Sequence, residues 1–157
     1  MEYIQNTHAE DEACVFCSAP KAGDDVGRYI LHRSALAFVI LNAYPYNPGH
    51  LMVAPFRHVS DFEDLTPAEL ADGSALLQRS VGALREMAEP HGYNVGMNLG
   101  RVAGAGIPGH LHWHVVPRWN GDTNYMTVVG GTRVLPELLG ATYAKLKPLF
   151  DADRQST

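Results

Sequence analysis

Three histidines alternate with apolar residues in the run His110-Leu111-His112-Trp113-His114-Val115. Side chains on a β-strand point to opposite faces in turn. A strand here puts His110, His112 and His114 on one face and Leu111, Trp113 and Val115 on the other. The apolar face packs. The other is a row of imidazoles, which act as nucleophile, proton donor or metal ligand near neutral pH. The plain alternative is a strand whose polar face is simply rich in histidine, in a chain that has eight of them. A second group is Cys14-Val15-Phe16-Cys17, with the spacing of half a tetrahedral metal site. A redox pair sits between a strand and a helix start, and the sequence predicts neither beside these cysteines. Metal ligation, free thiols and a disulfide are all open to the pair.

These groups must be positioned by the elements around them. Residues 28–33 and 35–41 read as two strands of a hairpin. Tyr44-Pro45-Tyr46-Asn47-Pro48-Gly49 is turn chemistry, and a third strand follows at 50–55. Thr66-Pro67-Ala68-Glu69 is a capping box with proline at the first helical position. Leu70, Leu77, Val81 and Leu84 then recur at helical spacing, and Pro90 with Gly92 ends the helix near Glu89. Strand-like sequence resumes at 93–99. The loop 100–109 holds four glycines and a proline, and the histidine strand is 110–116. A further apolar run at 125–129 ends at Gly130-Gly131, and a last helix spans 133–149. This order predicts an α+β fold, an antiparallel sheet whose apolar face is covered by the long helix. The opposite face is left for a ligand or a partner subunit. Residues 1–27 form a polar arm that carries the cysteines, 28–150 a single domain, and 151–157 a disordered tail.

With 157 residues, 46% hydrophobic and 18% charged, the chain suits one globular domain with a real core. A net charge of −5 argues against a nucleic-acid partner, whose backbone needs a basic patch. A small polyphosphate ligand needs only a few local groups. No apolar stretch reaches the roughly 18 residues of a membrane span, so no membrane partner is expected. The polar, acidic stretch from Met1 to Glu12 differs from a signal peptide. Two cysteines are too few for a disulfide-stapled secreted fold and fit a cytoplasmic location.

The run 110–119 resembles the signature of the histidine triad (HIT) family of nucleotide hydrolases and transferases. The likeness covers roughly 28–131 and includes Asn42, Asn47-Pro48-Gly49-His50, the strand from Asn94 to Gly100 and the glycine loop. Pro117-Arg118-Trp119, followed by Gly121, Asp122 and Asn124, is similar to the diadenosine tetraphosphate phosphorylase and hydrolase branch, as is the segment 41–53. The resemblance implies a HIT-like antiparallel sheet with one long central helix and a C-terminal helix. It also implies chemistry at the α-phosphate of a nucleotide, such as a dinucleoside polyphosphate. In that reading His112 is the nucleophile and forms a nucleotidyl-histidine. His114 polarises the site beside the phosphate, and His50 lines the phosphate pocket. Asn42 matches a ribose-contacting position and Asn98 one that touches the α-phosphate or the nucleophile. Gly104 and Gly106 offer backbone N–H groups to phosphate oxygens. Many relatives carry Ser, Thr or Gln where this chain has Gly106, so any contact there is made by backbone.

The resemblance further implies a structural zinc held by Cys14, Cys17, His58 and His110, the last of these two residues before the nucleophile. His8 is a rival ligand, while His32 and His91 read as surface or local packing. A homodimer that caps an exposed sheet edge is also implied. Phe38 and Ile40 either wall a base pocket or belong to the core. Arg118 and Trp119 form a lid, touch phosphate or pack the strand end. Phosphorolysis, nucleotidyl transfer, adenosine phosphoramidase activity and a non-catalytic nucleotide-binding module are all compatible with the same residues.

Overall fold

The computed structural model describes residues 14–122 and 137–152. Five strands form one sheet: β1 (Ile30–Arg33), β2 (Ala37–Leu41), β3 (Leu51–Pro55), β4 (Gly92–Met97) and β5 (Trp113–Arg118). The spatial order is β1-β2-β3-β5-β4, and every neighbouring pair is antiparallel. Helix α1 (Val15–Lys21) precedes the sheet, α2 (Pro67–Ala88) joins β3 to β4, and α3 (Leu139–Asp151) follows it. The architecture is the α+β antiparallel arrangement expected from the sequence.

The period of two along each strand divides the core in two. Leu31, Val39, Leu41, Leu51, Val53, Trp113 and Val115 face α2 and α3, which contribute Leu76, Leu84, Leu146 and Phe150. Ile30, Phe38, Ile40, Met52 and Ala54 face the other way and pack with Cys14, Phe16, Cys17 and Ala19. The second face is therefore not left open along its whole length, because α1 covers part of it. That helix was absent from the sequence reading. Its seven residues include Pro20, and Cys14 N-caps it without a side-chain hydrogen bond. Its stability comes from burying Phe16 and Ala19, a tertiary effect that local propensity does not register.

The start of α2 is the capping box read from sequence: Thr66 Oγ1 accepts from the Glu69 N–H, and Glu69 accepts from the Thr66 N–H. Arg57 donates to both oxygens of Glu69, at 2.9 and 2.7 Å. These bonds hold the Glu69 carboxyl down at about 2, chiefly through the Arg57 hydrogen bond. Its contribution to stability is present above the ordinary glutamate pKa and is lost as pH falls through about 2. The contact also ties the segment carrying Arg57 and His58 to the long helix.

Two glycines permit close approaches near the histidines. Gly49 has φ +80°, and a Cβ there would lie 2.9 Å from Leu84 Cδ2. It lets the turn before His50 lie against α2. At Gly73 a Cβ would lie 3.0 Å from the Trp113 ring, so the missing side chain admits the indole against α2.

Element limits shift by one or two residues in β1, β2, β3 and β4, and by more in the histidine strand and the last helix. The histidine strand begins at Trp113, not at 110, because the Leu111 N–H donates to Val59 O and the His110 N–H to Ile107 O, outside the ladder. The last helix begins at Leu139, with Glu137 and Leu138 non-helical, and it extends to Asp151. The apolar run at 125–129, the expected helix start at 133–136 and the tail from 153 lie outside the described residues.

Candidate active site and metal centre

Although the strand starts late, its alternation extends backward. Leu111, Trp113 and Val115 belong to the core beneath α2. His110 and His112 both contact Phe16 on the opposite face, and His112 lies 4.9 Å, centroid to centroid, from His114. Pairing of β3 with β5, with Met52 opposite His114, brings His50 to the same place. The Nε2 of His50 lies 2.9 Å from the Nδ1 of His114.

Proton positions follow from the partners. His112 Nδ1 lies 2.8 Å from the His110 carbonyl oxygen. A carbonyl only accepts, so Nδ1 carries the proton and Nε2 keeps its lone pair. Burial pushes the His112 imidazole below its ordinary pKa, against the opposing effect of that hydrogen bond. The ring is thus neutral near pH 7, with one nitrogen anchored and the other nucleophilic.

His50 is fully buried, and the Tyr46 N–H donates to its Nδ1 at 3.0 Å. Asn42 Oδ1 accepts from the Tyr44 N–H at 2.9 Å, which turns the Asn42 amide nitrogen toward the same Nδ1, at 3.3 Å. His50 Nδ1 is therefore an acceptor, and Nε2–H donates to His114 Nδ1. His114 must then hold its proton on Nε2. Burial, and secondarily the nearby His112, push the His114 imidazole down to about 4. The Tyr46 ring lies tilted against His50, centroids 4.6 Å apart, and stacks on His114 at 5.9 Å. The sequence reading did not single out Tyr46; its only signal was a place in the turn four residues before His50.

Cys14, Cys17, His58 and His110 form a second group, with one ligand atom from each lying within 4.8 Å of the others. Cys17 Sγ lies 3.2 Å from His58 Nδ1, and both sulfurs lie 3.4 Å from His110 Nδ1. Tetrahedral zinc, with its usual bond lengths, separates S and N ligands by about 3.6 Å. The second nitrogen of His110, Nε2, donates to Pro55 O at 2.9 Å, which leaves Nδ1 unprotonated for a metal. The two sulfurs are buried free thiols. The residues fit a metal ion. Contrary to the sequence reading, the cysteines do sit at a helix start, with Cys14 as the N-cap of α1.

The remaining sequence candidates fall around these groups. Asn98 Nδ2 donates to Gly104 O at 3.3 Å and so ties the end of β4 to the glycine loop. Gly104 adopts φ +92°, and Gly106 is exposed in the same loop, which also contains a short 3-10 turn, Arg101–Ala103. Phe38 and Ile40 are buried in the core on the α1 side. Arg118 donates to both oxygens of Asp122 and to Asn94 Oδ1, while Asn47 donates to Asp122 and to Pro117 O. This set of bonds packs the strand end against the turn before His50. Arg118 holds the Asp122 carboxyl well below the usual carboxylate range. His32 stacks on Phe150, and His91 Nδ1 accepts from the Asn120 N–H. His8 lies outside the described residues. Among the described residues, no helix is long and apolar enough to cross a membrane.

An antiparallel sheet bearing alternating imidazoles on the face opposite α2 and α3, with a buried histidine bonded across to the third of them, defines a histidine triad protein. The chain belongs to the HIT family: the HIT domain model matches residues 26–121. It is 48% identical over 127 residues to "AP-4-A phosphorylase" of Mycobacterium tuberculosis (strain ATCC 25618 / H37Rv), an alignment covering 81% of this chain and 65% of that protein. The match therefore spans just under two thirds of that relative's length. The "Bis(5'-nucleosyl)-tetraphosphatase [asymmetrical]" of Schizosaccharomyces pombe is 33% identical over 97 residues, 62% of this chain and 53% of that one. Among solved structures, a Zn-bound histidine triad family protein from Mycobacterium smegmatis superposes with TM-score 0.74 at 28% identity, covering 94% of this chain and 99% of that one.

Proposed function

We propose that this protein is an enzyme that cleaves or transfers at the α-phosphate of a dinucleoside polyphosphate. The observation that carries the reading is the neutral His112 ring, with Nδ1–H anchored on a carbonyl 2.8 Å away and Nε2 unprotonated. In the first step the Nε2 lone pair forms a bond to the α-phosphorus, and the bond to the bridging oxygen breaks. The departing nucleotide keeps the electron pair, and its new terminal phosphate oxygen accepts a hydrogen bond from His114 Nε2–H while the proton stays on that ring. The His50 Nε2–H donated to His114 Nδ1 fixes the orientation of that proton. Positive charge on the nucleotidyl-imidazole is steadied by the His110 carbonyl. In the second step an oxygen of water, which gives up a proton to solvent, or of phosphate bonds to phosphorus, the bond from phosphorus to Nε2 breaks, and His112 takes back the electron pair as the neutral Nδ1–H ring. Asn42, Asn98, Gly104 and Gly106 are assigned to the sugar and phosphate side of the cleft.

The 48% identity to a protein named a phosphorylase favours phosphate as the acceptor. The discriminating experiment supplies diadenosine tetraphosphate with and without inorganic phosphate. Phosphorolysis yields ADP and ATP; hydrolysis yields AMP and ATP. Tight AMP binding with no turnover under either condition would point instead to a non-catalytic nucleotide-binding module.

The pH dependence follows from the proton assignment. The fold favours neutral His114, whose pKa is pushed to about 4. The stability it contributes is full above the unfolded imidazole pKa of about 6.5 and is lost as pH falls toward 4. Turnover is accordingly expected to stay level down to about pH 6 and to fall only below it. An acid limb of kcat/KM centred at or above the ordinary imidazole pKa contradicts the assignment.

We assign a structural zinc to Cys14, Cys17, His58 and His110. With all four positions filled, it supplies a cross-link between α1 and the sheet and no Lewis acid. The reduced, buried cysteine pair suits a cytoplasmic location. The edge strand β4 leaves Val95 49% exposed, and Leu99 beyond it is 48% exposed. This exposed edge supports a homodimer in which a second copy pairs with it. A monomer mass by light scattering at micromolar concentration would rule that out.

A further inference from the structure

Phe16, between the two cysteines, is only 1% exposed, yet it is far from inert packing. Its ring centroid lies 4.6 Å from that of His112 at an interplanar angle of 36°, and 5.3 Å from that of His110. Phe38 backs it at 6.5 Å. Two routes thus run from the metal-ligating group to the His112 ring. One passes through the backbone: His110, fixed by its ring bond to Pro55 O, presents the carbonyl that receives the His112 Nδ1–H. The other passes through space: Cys14 and Cys17 flank Phe16, and Phe16 lies against a face of the His112 ring. The carbonyl fixes one edge of the imidazole but leaves rotation about the side-chain bonds, which carries Nδ1–H away from that carbonyl. Contact on the ring face removes that rotation.

We propose that Phe16 is a positioning residue that clamps the His112 ring in its attacking orientation and is itself held in place by the Cys14–Cys17–His58–His110 centre. The proposal rests on the reading of His112 as nucleophile. Phe16 touches neither the leaving group nor the acceptor; it acts through His112. Loosening it lowers the rate of bond formation to phosphorus and leaves ground-state nucleotide binding alone. A misplacement of the ring by about 1 Å is enough to cost on the order of 100-fold.

The test uses Phe16→Leu and Phe16→Met in the full chain, with zinc content measured on each. The expected result is retained zinc, KM within about twofold of wild type, and a single-turnover rate of nucleotidyl-enzyme formation down by about 10- to 100-fold. A second readout needs no substrate: nitrogen-15 shifts of the His112 ring at about pH 8, where it is neutral. Wild type is expected to show a single Nδ1–H tautomer, and both variants a mixture. Zinc-stripped wild type, in which Phe16 loses its anchor, is expected to show the same mixture. An unchanged His112 tautomer in metal-loaded variants or in stripped wild type overturns the proposal. So does a raised KM with unchanged kcat, which would make Phe16 a wall of the nucleotide pocket. Tautomer mixing in the variants without any nucleotide adduct in wild type would uphold the clamp while sinking the nucleophile reading.

Discussion

Replacing His112 with alanine is expected to reduce nucleotide turnover by roughly 10⁴-fold or more while leaving fold and nucleotide affinity nearly intact. The size of the effect follows from the division of labour in the site. His114 and His50 place a proton and a fixed dipole, and their loss leaves the attacking atom present. His112 Nε2 is the attacking atom, and its removal takes away the covalent route itself. The variant should remain folded because the Phe16 and Ala54 side of the core keeps its other contacts, and Trp113 and Val115 on the same strand remain buried against α2. The measurement pairs single-turnover kinetics with mass spectrometry of enzyme quenched on substrate. Wild type is expected to carry a nucleotide adduct on the peptide containing His112, and the variant none. Full activity in the alanine variant would remove His112 from the reaction.

Stripping the metal, or replacing Cys14 with serine, is expected to lower the melting temperature by on the order of 10 °C. A structural zinc contributes its binding free energy to folding, and in a chain of this size each 1 kcal/mol moves the midpoint by about 2–4 °C. The location of the centre makes the loss large. Helix α1 has seven residues, an internal proline and no side-chain cap, so it has little intrinsic stability. What attaches it to the sheet is the buried surface of Phe16 and Ala19 together with the two thiols and two imidazoles. Without the ion nothing joins the two buried thiols, the buried His110 and the half-buried His58 into one centre, and the helix loses its cross-link. Thermal melts with and without chelator, alongside zinc analysis of the purified protein, decide the matter. Zinc-free protein that melts at the same temperature as loaded protein would refute a structural metal.

The histidine face was legible in the sequence because a period of two leaves no freedom once one face is apolar. Leu111, Trp113 and Val115 must enter the core, and the three imidazoles must then point away from it. The α2 start was equally legible, since Thr66, Pro67 and Glu69 satisfy the first turn of a helix by short-range bonds. The last helix starts later than expected, at Leu139, where Leu138 is the N-cap and no side-chain cap marks the start in the sequence. Helix α1 was invisible for a different reason. Proline and weak local propensity oppose it, and it is held by contacts distant in sequence: burial against Ile30, Phe38, Ile40, Met52 and Ala54, and the His58 and His110 rings beside its cysteines. Arg118 is a further case: its sequence neighbours leave a lid, a phosphate contact and packing of the strand end all open, and only the geometry supplies the partners, Asp122 and Asn94, that tie it to the strand end.

Strand alternation and helix capping are local rules, so the order of residues alone says which side chains share a face, and the order of elements sets the antiparallel sheet. Where the protons sit depends on groups far apart in the chain. The His110 carbonyl makes His112 Nδ1 a donor, the Tyr46 N–H makes His50 Nδ1 an acceptor, and the Pro55 carbonyl frees His110 Nδ1 for a metal. Each imidazole has two interchangeable nitrogens, and the choice between them belongs to whichever group the fold brings within about 3 Å.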